Sequence, residues 1–333
     1  MEPRRLAGPR RGRHRLPAAP ARRPRGAPRP DLARGRGRAA RRPHARVPPS
    51  AAGARGGRDG RPGRHERGLR RPAVRVALGQ LGSLADVGAN LASVAERVAR
   101  AAEDGADLLV LPEFAMYDKP VVDETFADVA EPLDGPFVRA VGALAAEHGV
   151  NVALGVVERS DERRPWNTVA LLGRDGSLLG RWRKAQLFDA YGYAESRSIR
   201  PAEDLTPHVV DLEGTPVGFL VCYDLRFPEV ARGLVRAGAR LVVAPSAWVP
   251  GPTKVAQWRT LLAARAIENV CHVVGVCQAA PVSTGTSLAC APDGTVLAEL
   301  GPAPGQVVVD LPAGAVDAAR ERDRNVEVAR LGR

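Results

Sequence analysis

Lysine is scarce in this chain: only Lys119, Lys184 and Lys254 occur among 333 residues, and arginine carries nearly all the remaining positive charge. Cysteine is also sparse. The four thiols, Cys222, Cys271, Cys277 and Cys290, lie late in the chain and lack paired C-x-x-C spacing. That excludes a dense disulfide scaffold and gives no metal-ligand signature, so reduced thiols in a cytoplasmic protein are expected. Beyond residue 72 histidine occurs only at His148, His208 and His272, none in a context that suits a Cys–His nucleophile pair. No run of 18 apolar residues and no apolar segment after Met1 is present, so neither a membrane span nor a secretory signal is read. No glycine-rich phosphate loop appears either. Neither a metal nor a cofactor is expected.

The net charge of +12 comes from an uneven distribution. Residues 1–72 hold 23 Arg, no Lys and 4 acidic residues, a net of +19, and the remaining 261 residues carry −7. This first segment is Arg, Pro, Gly and Ala with almost no aromatic or β-branched residues, a composition that cannot bury enough apolar surface to order itself. It is read as a disordered tail. A polyanion- or nucleic-acid-binding arm is physically compatible with dense Arg. A targeting peptide fits the Arg content but not the low Ser content. The leading expectation is the product of a GC-rich reading frame, with the true start near residue 70. Residues 73–325 are read as one enzymatic domain and 326–333 as a C-terminal tail.

Periodicity organises the body. A strand over 74–78 is followed by Val87, Leu91, Val94 and Val98 at helical spacing, stopped by Gly105. A buried strand over 107–111, a helix ending at Gly149, a strand over 150–157 and a hairpin joining 168–172 to 178–183 come next. The order then repeats: strand 217–221, helix 228–237, strand 241–244, helix 255–267, then strands 271–277, 286–291 and 296–300. Two similar α/β halves are expected, with mixed sheets stacked face to face and helices outside.

Three chemistry-bearing residues stand where apolar strands end. Cys222 follows Val217-Gly218-Phe219-Leu220-Val221 and precedes a helix that Pro228 can start, where backbone N–H groups favour a thiolate. Buried cysteines are more often packed as small hydrophobes, and Cys271, Cys277 and Cys290, inside apolar strands, are read that way. Glu113 closes the strand in Leu111-Pro112-Glu113-Phe114, where an unpartnered carboxylate is costly. It would take the thiol proton, pass it to the leaving nitrogen and then activate water. Lys184, in Gly180-Arg181-Trp182-Arg183-Lys184, would pair with Glu113 and stabilise an oxyanion together with the backbone N–H of Tyr223. Glu195, in the loop beyond, would steady the ammonium. A solvated strand end remains the competing reading of Glu113 and of Lys184 taken alone, and Glu195 alone carries almost no signal.

Taken in order, Leu-Pro-Glu113-Phe, Gly180-Arg-Trp-Arg-Lys184-x-x-Leu-Phe and Cys222-Tyr-Asp-Leu-Arg-Phe-Pro-Glu229 resemble the three signatures of the nitrilase superfamily of carbon–nitrogen hydrolases. The resemblance covers roughly residues 73–325. It implies an αββα four-layer sandwich of two mixed sheets with pseudo-twofold halves, usually a homodimer. It also implies a Glu113–Lys184–Cys222 catalytic group with Glu195 as the second glutamate, and a thioester route to carboxylic acid and ammonia. The motif after Cys222 looks like the branch of ω-amidases and deaminated-glutathione amidases, so the expected partner is a small linear amide. Arg226 is then a candidate for a substrate carboxylate, or a structural arginine bonded to Glu229 or to carbonyls. A nitrilase or N-carbamoyl hydrolase on the same residues is the alternative enzyme. A non-catalytic homologue with a polyanion-binding arm is the alternative of another class. Loops 115–135 and 279–286 are expected to border the pocket.

Overall fold

The computed structural model describes residues 73–330, so the readings made for 1–72 and for the last three residues lie outside the described part. The first half runs β1 (Ala73–Gln80), α1 (Val87–Glu103), β2 (Leu108–Val110), a short α2 (Thr125–Asp128), α3 (Pro136–His148), β3 (Asn151–Glu158), β4 (Trp166–Leu172) and β5 (Leu178–Arg183). After β6 (Val209–Leu212), the second half repeats it as β7 (Thr215–Phe219), α4 (Pro228–Arg236), β8 (Leu241–Ser246), α5 (Lys254–Asn269), β9 (His272–Cys277), β10 (Leu288–Cys290) and β11 (Val296–Glu299). β12 (Gly305–Pro312), α6 (Ala313–Arg322) and α7 (Asn325–Val328) close the described chain.

Local chemistry accounts for the boundaries. Asp86 caps α1 by accepting the N–H of Ala89 at 3.0 Å. Pro136 occupies the first turn of α3, and Gly149 ends it in the left-handed conformation.

The strands form two six-stranded sheets, ordered β12-β1-β2-β3-β4-β5 and β11-β10-β9-β8-β7-β6. In each, three parallel strands (β1, β2, β3 and β7, β8, β9) are extended by antiparallel neighbours, which is the expected internal twofold. Alternation sorts the side chains into layers. Val76, Leu78, Leu108 and Val110 point into one core with Val217, Phe219, Ala244 and Val274 of the second sheet. Ala77, Leu109 and Leu111 point the other way, onto Val94 and Val98 of α1 and Phe137 and Val141 of α3. The result is the αββα sandwich.

β6, β12, α6 and the two shortest helices were not read from the sequence. β12 pairs with β1 across more than 200 residues and β6 is an edge strand, so neither carries a strong local signal.

Candidate active site

The segments that follow β2, β5, β7 and β8 converge. Glu113 leaves β2, Lys184 leaves β5, Cys222 follows β7 on a 3-10 turn, and Glu195 sits on a second 3-10 turn. All four are buried. The backbone is held in unusual conformations here, since Phe114 (φ 59°) and Cys222 (φ 48°) are both left-handed without being glycine. Such strain persists where surrounding contacts over-determine it, and it concentrates at functional sites.

Lys184 Nζ stands 2.8 Å from Glu113 Oε1 and 3.0 and 2.8 Å from the two oxygens of Glu195. Asn167 Nδ2 ties the carboxylates together, donating to Glu113 at 2.7 Å and to Glu195 at 3.3 Å. The remaining oxygens take main-chain donors: Ala247 N–H reaches Glu113 Oε2 at 2.6 Å, and Phe188 N–H reaches Glu195 Oε2 at 2.6 Å. Burial draws the Lys184 pKa down, but Glu113, Glu195 and Cys222 outweigh it and the net shift is well upward. Lys184 is therefore a fixed cation.

Cys222 departs from the thiolate expected of a helix-proximal strand end. Burial and the neighbouring Glu113 charge push its pKa well above that of a free thiol, while Lys184 and the Ala247 N–H pull the other way and lose. That shift favours the protonated thiol beside the Glu113 carboxylate. A carboxylate so placed can accept the thiol proton, which is the geometry an activated nucleophile and its base require. The other thiols are also held protonated: burial carries Cys271 to about 12 and Cys277 and Cys290 to about 11.

Cys222 opens into a cleft of about 660 Å³, large enough for a small molecule. Tyr223 and Arg226 line it, as do residues 118–124 and 282–283 from the two loops expected at its border. Arg226 donates to Gln257 Oε1 at 2.5 Å and lies 4.9 Å over the Trp248 ring. Gln257, rather than Glu229, is the side chain it bonds. Among the described residues no cluster of His, Cys, Asp or Glu could hold a metal ion. No helix among them is long and apolar enough to cross a membrane.

Three site groups escaped the sequence reading. Asn167 is a polar residue wholly buried at the start of β4, a signal visible only once its neighbours are known to be core. Ala247 contributes an amide, which leaves no trace in residue type. Lys254, though singled out by scarcity, was not assigned to the cleft it lines.

A carbon–nitrogen hydrolase family model matches residues 75–321. The chain is 36% identical over 265 residues to a hydrolase of Mycobacterium tuberculosis, covering 75% of this chain and 93% of that protein. It is 31% identical over 236 residues to the deaminated glutathione amidase of Escherichia coli O157:H7, covering 71% and 89%. Among solved structures, a glutamate-to-glutamine mutant of the amidase from Nesterenkonia sp. AN1 superposes with a TM-score of 0.67 at 32% identity, covering 78% of this chain and 97% of that one. That structure shows covalent addition of the acetamide moiety of fluoroacetamide at the active-site cysteine.

Proposed function

The chain belongs to the carbon–nitrogen hydrolase family of the nitrilase superfamily, and from that premise we propose that it hydrolyses a small linear amide to a carboxylic acid and ammonia through a thioester on Cys222. The observation that carries this reading is the convergence of Cys222, Glu113 and Lys184 on one cleft, with the Lys184 Nζ 2.8 Å from Glu113 Oε1.

The chemistry follows from the contacts. Glu113 accepts the Cys222 proton as the sulfur attacks the amide carbon, so the nucleophile is generated only when a substrate is in place. Negative charge then develops on the amide oxygen. The Lys184 ammonium and the Tyr223 N–H, adjacent to the nucleophile, stabilise it in a site from which bulk water is largely excluded. Glu113 returns the proton to the nitrogen, the C–N bond breaks, and ammonia leaves an acyl group on Cys222. Glu113 next takes a proton from water, which attacks the thioester. Collapse releases the acid and restores the thiol.

Glu195 and Asn167 touch neither sulfur nor substrate in this scheme. They position Lys184 and Glu113, and the bidentate Glu195 contact favours the charged form of Lys184. The relatives named amidases support amide substrates, and the covalent adduct in the Nesterenkonia amidase supports a cysteine nucleophile. The test is ammonia release from a panel of short amides, nitriles and carbamoyl amino acids. Release from amides, lost in Cys222→Ala, is expected; turnover restricted to nitriles or carbamoyl compounds would replace this reading.

A further inference from the structure

The base is held from the opposite sheet by a residue the hydrolytic chemistry does not use. Gln278 follows β9 and is only 1% exposed. Its side-chain Nε2 donates to the main-chain carbonyl of Glu113 at 3.0 Å and to Ser83 Oγ at 2.8 Å. Its Oε1 accepts the Ser83 N–H at 3.0 Å. A carbonyl on one side and a main-chain N–H on the other leave the amide a single workable orientation, with both Nε2 hydrogens committed. The main chain of Gln278 reaches the same base by a second path. Its N–H donates to Ser246 O at 2.9 Å. Ser246 O and the Ala247 N–H belong to one planar peptide, so fixing the carbonyl aims the N–H. That N–H is the donor 2.6 Å from Glu113 Oε2.

Glu113 stands where such support is needed. The next residue, Phe114, is left-handed at φ 59°. A residue other than glycine stays there only where its surroundings over-determine it. The Glu113 carbonyl belongs to the peptide whose rotation sets that angle. With the Gln278 donor gone, rotation of this peptide relieves Phe114 and turns the strand end that carries the Glu113 side chain. The bond also crosses between the sheets: Glu113 leaves β2 of the first, whereas Gln278 and Cys222 follow β9 and β7 of the second. It therefore fixes the base relative to the nucleophile.

We propose that Gln278 is a positioning residue that brackets Glu113 from the second sheet, its side chain on the carbonyl of the base and its main chain on the peptide that holds the carboxylate. The bracket keeps Phe114 left-handed and Glu113 set against Cys222. It rests on the amidase reading for rate measurements only, because its geometry can be tested without turnover.

The experiment compares the full chain with its Gln278→Met and Gln278→Glu variants. Methionine keeps the length and removes the side-chain donors. Its kcat for a small amide should fall at least about tenfold with KM changed less than about twofold, since an ångström of misplacement can cost about a hundredfold in rate. Its crystal structure should show Phe114 outside the left-handed region and Glu113 Oε1 beyond hydrogen-bond reach of Lys184. Glutamate keeps the shape, and only its protonated form can donate to the Glu113 carbonyl. The ratio of Gln278→Glu to parent kcat should therefore rise as pH falls from about 8 to about 6, because burial beside Glu113 favours that form. A merely damaged fold would give no such recovery. An unchanged kcat in Gln278→Met, a loss carried by KM alone, a glutamate ratio that stays flat or falls on acidification, or an unmoved Glu113–Phe114 peptide overturns the bracket. If the methionine variant fails to fold, the glutamate ratio decides. Failure of the amidase reading looks different: the parent would release no ammonia from any amide, and the crystal structures of the variants would still test the bracket.

Discussion

Gly155 lies directly beneath Glu113. A Cβ built at Gly155 would stand 2.6 Å from the Glu113 Cα and 2.4 Å from the Phe114 nitrogen. The central strand β3 thus sets the height of the general base, through contact with main chain that has no room to yield. Gly155→Ala should lift Glu113 away from Cys222 and Lys184. An ångström of misplacement can cost about a hundredfold in rate. The expected result is a folded protein whose kcat for a small amide falls at least about tenfold, with KM changed much less.

Asn167 bonds both site carboxylates from a fully buried position. Asn167→Ala removes two hydrogen bonds to charged groups, each worth about 1.5–3 kcal/mol in typical proteins. The stability lost should fall between one such bond and two, since the carboxylates keep Lys184 and their main-chain donors. Urea unfolding at neutral pH measures it. Activity should fall as well, because Glu113 loses one of the contacts that fix its orientation.

Glu195 raises the pKa of Lys184, together with Glu113 and against the pull of burial. In Glu195→Gln that support is lost and the ammonium deprotonates at lower pH. The alkaline limb of the kcat–pH profile should therefore move downward, and kcat at neutral pH should drop. A profile unchanged in shape would show that Glu195 does not act through Lys184.

Asp224 accepts the N–H groups of Val221 and Gln186, yet burial raises its pKa to about 6. Unfolded, an aspartate titrates near 3.9. The folded state therefore binds this proton more tightly, and the group's stabilising effect is fully present below about pH 4 and lost as pH rises through 6. Between pH 7.5 and 4.5 the gain is about 2 kcal/mol. Denaturant unfolding at the two values should show that gain in the parent and not in Asp224→Asn, after subtraction of the background common to both.

Much of the site was legible because its residues interrupt patterns. Glu113, Lys184 and Cys222 each break an apolar or alternating strand at its end, where a charge or thiol has no packing reason to be. Glu195 had no such contrast and was placed only by its resemblance to a known motif. Asn167 and Ala247 were invisible for a different reason: one is a single polar residue in a strand, the other acts through its backbone. The balance of forces on the Cys222 thiol was only half legible, because local dipoles can be read from sequence, whereas the desolvation and the Glu113 charge that oppose them exist only after the sheets pack. The same division holds for the fold. Strands within β-α-β units announced themselves, but β12 owes its place to β1 at the far end of the domain.

The central claim is an acyl group on Cys222, and acid-quenched mass spectrometry during amide turnover tests it most directly. The account predicts a steady-state population carrying the acyl mass of the substrate, mapped to the Cys222 peptide and absent from those of Cys271, Cys277 and Cys290. Undiminished ammonia release from Cys222→Ala, or an acyl mass on any other residue, would contradict it.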